Sequence, residues 1–537
     1  MNNHLIIDSQ LAAQDMDAVF SDDWSWPVEQ AKYDSLVTEL IEWADELHLE
    51  LNDSPRLLTA YLLIKADLLK DLSYYLVGWL DVASARENGS ELVFRSNQYI
   101  YGELVSDQFT DRIPTNNYST KARWIRAAIR GRLSRIKWQR NNRSASRVTD
   151  TNRFLIGANP LGIQIAGENV RRIVWTTDAI ARHRPPSDDV PDRITELSDR
   201  ISTVVSDAIA RFTLEPTKQL VSHLRFIALT HLRKGWRDTA LKSIFSPVSP
   251  NPTLVTGTGS NYATRLISHQ LLSDGHRVIR ASHGGDAPLF NDVLWASIEL
   301  PFATKYVVGG TSAATAVAQS LSKRTETAIP QYVSSVLGVG SRQHLRIRES
   351  AGKPNTSPPE TVSVISASLT GMHRVTPHMK LHDVVYMEWH RRLLQDVQNL
   401  GYTTLSKRHP KGMMAGRHIF DDVSTEELLQ TPLSSIEDRT DAYVIDFPAS
   451  ALMESICTLK PVVLIDHGIR RMCPEVRSLL GQSVAIIAST HDEHNRVVID
   501  QNELKEGLLT PVNLDAREEF LQGYLLKPSS NLDSLFE

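Results

Sequence analysis

The sequence predicts an α/β protein of two parallel-sheet lobes that face a cleft, preceded by a helical region. Three observations lead there. Short apolar runs alternate with helix-length segments twice, within residues 253–310 and again within 362–466, which is the order of a parallel sheet with crossover helices. At 537 residues the chain exceeds what one hydrophobic core serves. Residues 27–85 carry Trp, Leu and Tyr at three- and four-residue intervals, a helical pattern. The expected divisions are a helical region over 1–150, a first lobe over 151–345, a second over 346–510, and a terminal helix and tail over 511–537.

Composition narrows the function classes. A net charge of −5 and a pI near 6.4 argue against a nucleic-acid partner for the whole protein. Cys457 and Cys473 are too few for a disulfide framework, so a reducing cytoplasm is the expected setting. The opening MNNHLIIDSQLAAQD lacks the basic start and apolar core of a signal peptide. The most apolar stretch, residues 57–83, is interrupted by Lys65, Asp67, Lys70, Asp71 and Asp81, which fits a buried or amphipathic helix better than a membrane span.

From Lys121 to Arg147 basic residues recur without an acidic one, and Ile125, Ile129, Leu133 and Ile136 share a helical face. Three readings stay open: a helix on an anionic membrane surface, a helix packed on the body by its Ile stripe, and a steering surface for anionic substrates. The prolines at 185, 186 and 191 mark a linker, and residues 192–232 return to a helical pattern.

The first α/β unit starts with TLVTGTG, a strand ending at Gly257 and Gly259, followed by a helix closed by Gly275. TGTGS lacks the full dinucleotide fingerprint and a phosphate-loop Lys, so no ATP or dinucleotide site is assigned to it. The next strand ends in SHGGD, Ser282–Asp286, where Gly284 and Gly285 allow a sharp turn beside His283. KYVVGG is the next strand, and residues 341–360 read as the crossing between lobes. In the second unit a strand from 362, a helix over 384–400 and a strand over 402–406 lead to KRHP, Lys407–Pro410. A strand, helix, strand unit over 441–466 then places Ser450 at a helix start, where free N–H groups favour an anion. Glu454 lies one turn further on the same face.

Glu454, six residues and Pro461-Val462-Val463 resemble the donor half of GT-B glycosyltransferases, where such a Glu holds the ribose. KRHP resembles the Lys-x-His-Pro motif of bacterial surface-polysaccharide transferases: capsule Kdo transferases, HP-motif sialyltransferases and CDP-glycerol glycerophosphotransferases. SHGGD resembles the His-Gly-Gly and His-Gly-Thr turns of that group, with Ser282 where Gln or Trp is the pattern. LSYYLVGWL, residues 72–80, resembles the helical start of an uncharacterised family of surface-carbohydrate transferases. The resemblance covers residues 253–310 and 362–466.

It implies a GT-B-like fold with two Rossmann-like lobes, and transfer from a CMP- or CDP-linked donor, with a UDP- or GDP-sugar staying open, to a growing capsule, O-antigen or lipopolysaccharide. Lys407 and His409 would meet the donor phosphate, Ser450 and Glu454 the nucleotide, and His283 would be the base, with Asp286 orienting it or acting itself. The acceptor would be a glycan or lipid-linked glycan. No cofactor and no metal are expected, because Asp421-Asp422 is a bare loop pair. The expected place is the cytoplasm, as the two cysteines suggest, peripheral at the membrane if the basic stretch binds lipid. Two other classes remain open: a GT-B-fold sugar-nucleotide epimerase, and a non-catalytic membrane-associated scaffold.

Overall fold

The computed structural model describes residues 4–95, 99–111, 153–157, 159–167, 170–172, 190–241, 252–290, 293–322, 333–352, 357–370, 381–412 and 414–536. The basic stretch from Lys121 to Arg147 lies outside them, and with it the expectation of a membrane-facing helix.

Strands β1 (His4–Ile6) and β2 (Glu91–Val93) form a small parallel pair beside the helical region. The first lobe is a six-stranded sheet of β3 (Arg153–Ile156), β4 (Arg171–Arg172), β5 (Thr253–Thr256), β6 (Arg277–Ala281), β7 (Lys305–Val308) and β8 (Ser335–Gly338), in the order β4-β3-β5-β6-β7-β8. The second contains β9 (Thr361–Ile365), β10 (Thr403–Lys407), β11 (Glu426–Leu428), β12 (Ala442–Ile445), β13 (Val462–Asp466) and β14 (Ala485–Ala488), in the order β11-β10-β9-β12-β13-β14. Every pairing in both sheets is parallel. The fold is therefore α/β and GT-B-like, with two Rossmann-like lobes facing a cleft.

Parallel strands are covered on both faces, so they read as continuous apolar runs. Leu254, Val255, Val278, Ile279, Val444 and Leu464 are all fully buried. In each sheet the strand order reverses once, between β3 and β5 in the first lobe and between β9 and β12 in the second. Ligands of open α/β sheets bind outside the carboxyl ends of strands at such a reversal.

The helical region packs around the helix Pro55–Glu87, whose residues are buried nearly along its whole length. Charges inside it are paired: Lys65 with Asp45, and Asp71 with His231 at 2.9 Å. Among the described residues no helix is long and apolar enough to cross a membrane. The helices Asp192–Ala210 and Lys218–Thr239 fall in sequence between β4 and β5, yet they pack in this layer. Gly235 permits the crossing, since a Cβ there would lie 2.3 Å from the Ala60 carbonyl oxygen.

The layer reaches both lobes. On the first, Arg265 Nε donates to the Leu63 carbonyl at 2.9 Å. On the second, Trp26 N–H donates to the His494 carbonyl at 3.0 Å, and Tyr101 Oη lies 3.1 Å from His382 Nε2. The strands β15 (Thr490–His491) and β16 (Val497–Val498), an antiparallel pair, flank that contact. After the helix Leu514–Leu521 the chain returns to the first lobe, where Gly310 N–H donates to the Tyr524 carbonyl and Ser341 N–H to that of Leu525, at 2.8 and 2.7 Å.

Candidate functional site

The loop after β6 carries His283, Gly284 and Gly285. Both glycines have positive φ, +83° and +81°, a backbone region that side-chain-bearing residues rarely adopt. The turn thereby comes close to the other lobe: a Cβ on Gly284 would lie 3.5 Å from Ser450 N and Cβ, and one on Gly285 3.5 Å from Met453 Cγ. Asn159 holds the base of this edge, with its Nδ2 donating to the Gly257 and Ser282 carbonyls, each at 2.9 Å.

Ser450 opens the helix Ser450–Cys457 that follows β12. Its N-cap, Ala449, has no side chain able to accept a hydrogen bond, whereas Asn159, Asn261, Ser341 and Asp500 cap other helices with their own oxygens. Glu454, one turn on, accepts from Gln343 Nε2 at 3.1 Å. Burial pushes the Glu454 carboxyl up, and Lys407 and the Gln343 bond oppose that shift. Burial conversely lowers Lys407, with Glu454 opposing.

These two elements and the helix Arg342–Ser350 enclose a cleft of about 160 Å³. His283, Gly284 and Gly285 line it from the first lobe, and Ser450 and Glu454 from the second. Gln343 and His344 form a third wall. Among the described residues no Lys or Arg lines it.

The remaining sequence-predicted residues lie outside that lining. Asp286 is buried and meets Arg470 Nη1 of the second lobe at 3.2 Å, with Arg470 also stacked 3.5 Å over the Phe290 ring. Burial raises the Asp286 carboxyl, and Arg470 is the chief opposing charge. Lys407 is buried, with Nζ donating to the Arg408 carbonyl at 3.2 Å. His409 Nδ1 accepts from Lys411 N–H at 3.1 Å, and its own N–H donates to Ser366 Oγ at 3.4 Å. Gly257 and Gly259 serve packing: a Cβ at Gly257 would lie 1.9 Å from the Gly157 carbonyl oxygen, and one at Gly259 2.2 Å from that of Glu299. The Glu299 carboxylate accepts from Gly259 N–H and from Thr258 Oγ1, so the anion position of that turn is filled by the protein itself.

Gln343, His344 and Asn159 went unrecognised in the sequence. The signal for Asn159 was present, an Asn before Pro at a helix start; Gln343 and His344 sit in a segment that reads only as a crossing. Asp422 accepts from Arg391 Nη1 at 2.5 Å. Among the described residues no three His, Cys, Asp or Glu side chains are grouped to hold a metal.

No family model matches the chain, and no curated protein does. Several solved structures are similar at low identity. MnaA of S. aureus with UDP is 12% identical with a TM-score of 0.34, over 70% of this chain and 92% of its own. Phytolacca americana UGT2, complexed with UDP-2fluoro-glucose and pterostilbene, is 10% identical with a TM-score of 0.30, over 66% of this chain and 80% of its own. A UDP-glucosyltransferase from Polygonum tinctorium capable of glucosylating indoxyl, in complex with 3,4-dichloroaniline, is 10% identical with a TM-score of 0.31, over 66% and 82%. Scores of this size carry no argument, and the two-lobed fold rests on the strand orders.

Proposed function

We propose that the protein is a GT-B-type glycosyltransferase or sugar-phosphate transferase of bacterial surface-polysaccharide synthesis, using a CMP- or CDP-linked donor. The observation that carries this reading is the meeting, in one cleft, of the His283-Gly284-Gly285 turn with the uncapped helix start at Ser450 and with Glu454. Each half resembles a different part of the same enzyme group, and the two are far apart in sequence.

In this reading the donor phosphates lie against the N–H groups at Ser450, where the helix dipole favours negative charge. Glu454 accepts from the paired ribose hydroxyls, sharing its carboxylate with Gln343, and buried Lys407 balances its charge. His283, exposed on the facing lobe, takes the proton of an acceptor hydroxyl as that oxygen attacks the donor carbon or phosphorus and the bond to the leaving nucleotide breaks. Asp286 holds the turn through Arg470.

A cleft of about 160 Å³ is smaller than the roughly 300–1,000 Å³ of ordinary ligand sites. The lobes therefore part to admit a donor and close on it, a hinge movement usual in two-lobed enzymes.

The test is nucleotide release from CMP- and CDP-linked donors, with and without an acceptor glycan. Release that depends on the acceptor supports transfer. Epimerised free sugar without acceptor would reassign the protein to the epimerases, and an absence of turnover with every donor would contradict the enzyme reading.

A further inference from the structure

The third wall of the cleft has its own chemistry. Ser341 caps the helix Arg342–Ser350: its Oγ accepts the His344 N–H at 3.5 Å and lies 2.8 Å from His344 Nδ1. The Ser341 hydroxyl thereby fixes the orientation of the ring, and where it donates to Nδ1 the imidazole proton sits on Nε2. Burial lowers His344 to about 4, so the ring is neutral near pH 7. The ring is 9% exposed, lines the cleft, and its Nε2 meets no acceptor among the described residues.

Nε2 opens on the cleft, where an atom of a bound ligand can take its hydrogen bond. Among the described residues the cleft is also lined by no Lys or Arg. An anion entering it would be met by N–H donors, among them the helix start at Ser450 and the His344 ring.

We infer that His344 binds the phosphate-bearing ligand of the cleft directly, presenting a fixed Nε2–H to a phosphoryl oxygen, with Ser341 as its positioning residue. The inference rests on the nucleotide-donor reading above. Because the ring is neutral, it contributes direction and not charge. Gln343, its neighbour, sets Glu454 from the same helical turn, so this helix serves both ends of a nucleotide.

The experiment is calorimetric titration of the full chain with CDP, UDP and cytidine, for wild type, His344→Gln and His344→Asn. A Gln amide nitrogen can reach the position of Nε2, whereas Asn ends at that of Nδ1. For CDP, His344→Gln should bind within about threefold of wild type and His344→Asn about tenfold or more weakly, the size of one neutral hydrogen bond. Cytidine, which has no phosphate, should show no such penalty. Unchanged CDP affinity in His344→Asn, or equal losses in both variants, overturns the inference alone. Wild type that binds neither CDP nor UDP overturns the nucleotide reading and the inference with it. Should the variants melt early, carbethoxylation of wild type read by mass spectrometry decides: CDP should shield the His344 peptide, and no shielding overturns the assignment.

Discussion

Asp286 of the first lobe and Arg470 of the second form a buried ion pair of 3.2 Å at the back of the cleft. Next to it the chain of one lobe pairs with that of the other, through a bridge of Phe290 with Met472 and a 2.8 Å bond from Cys473 N–H to the Leu289 carbonyl. The residue expected to orient or replace the base at His283 is thus also a link between lobes.

Asp286→Asn separates these roles. It keeps an oxygen for Arg470 but loses the charge, so stability should fall by about 1–3 kcal/mol, read from the denaturant midpoint. As a positioning link, Asp286 should then cost only a modest part of kcat. Near-complete loss of kcat with unchanged stability would make Asp286 the base or nucleophile.

His283→Ala should lower kcat by roughly 10²–10⁴ while CDP still binds, because a general base acts on the chemical step. Single-turnover kinetics beside a binding titration measure both. A variant that melts early and loses binding would return His283 to a structural turn.

In KRHP the Arg, to which the sequence assigned no role, is structural. Arg408 is buried, pairs with Glu427 at 2.7 Å, and Glu427 also accepts from Ile419 and Phe420 N–H at 2.8 and 3.1 Å. Arg408→Ala should cost about 3–5 kcal/mol of stability by leaving that carboxylate without its cation. His409→Ala should leave the melting temperature near that of wild type, so thermal melts of the pair separate fold from ligand contact.

The strands and helices around the cleft were legible because parallel strands are continuous apolar runs. Thr253–Thr256, Lys305–Val308, Ala442–Ile445 and Val462–Asp466 were all expected within a residue or two, as was the helix Asp383–Asn399. What stayed hidden was tertiary. Nothing local says that residues 192–239 pack on the helix Pro55–Glu87, since an amphipathic face does not name its partner. Nor does a local pattern tell that Arg408 turns inward while Lys407 couples to Glu454, or that Ser341 both starts a helix and holds His344. TGTGS was set aside as a phosphate loop for its incomplete dinucleotide fingerprint and missing Lys, and the Glu299 carboxylate that fills the turn adds a physical reason.

Asp81 gives a pH dependence. Burial raises its carboxyl from 3.8 to about 7, against hydrogen bonds from Tyr101 and Tyr33. A carboxyl raised on folding stabilises the folded state most when both states are protonated, so its contribution is full below about 4 and is lost as pH rises toward about 7, at up to about 1.4 kcal/mol per pH unit. Asp81→Asn removes this loss. Relative to wild type it should gain stability between pH 5 and 7.5, and a parallel dependence in the two proteins would contradict the assignment.

The central claim is that the cleft binds a nucleotide through Glu454, and calorimetric titration of wild type and Glu454→Ala with CMP, CDP, UDP and GDP tests it most directly. Wild type should bind at least one of them saturably, with CMP or CDP strongest. Glu454→Ala should weaken that binding by about tenfold or more, the loss of charge-assisted bonds to the ribose, in a variant whose thermal transition stays cooperative. Binding of none of the four by wild type, or equal binding by Glu454→Ala, would contradict the account.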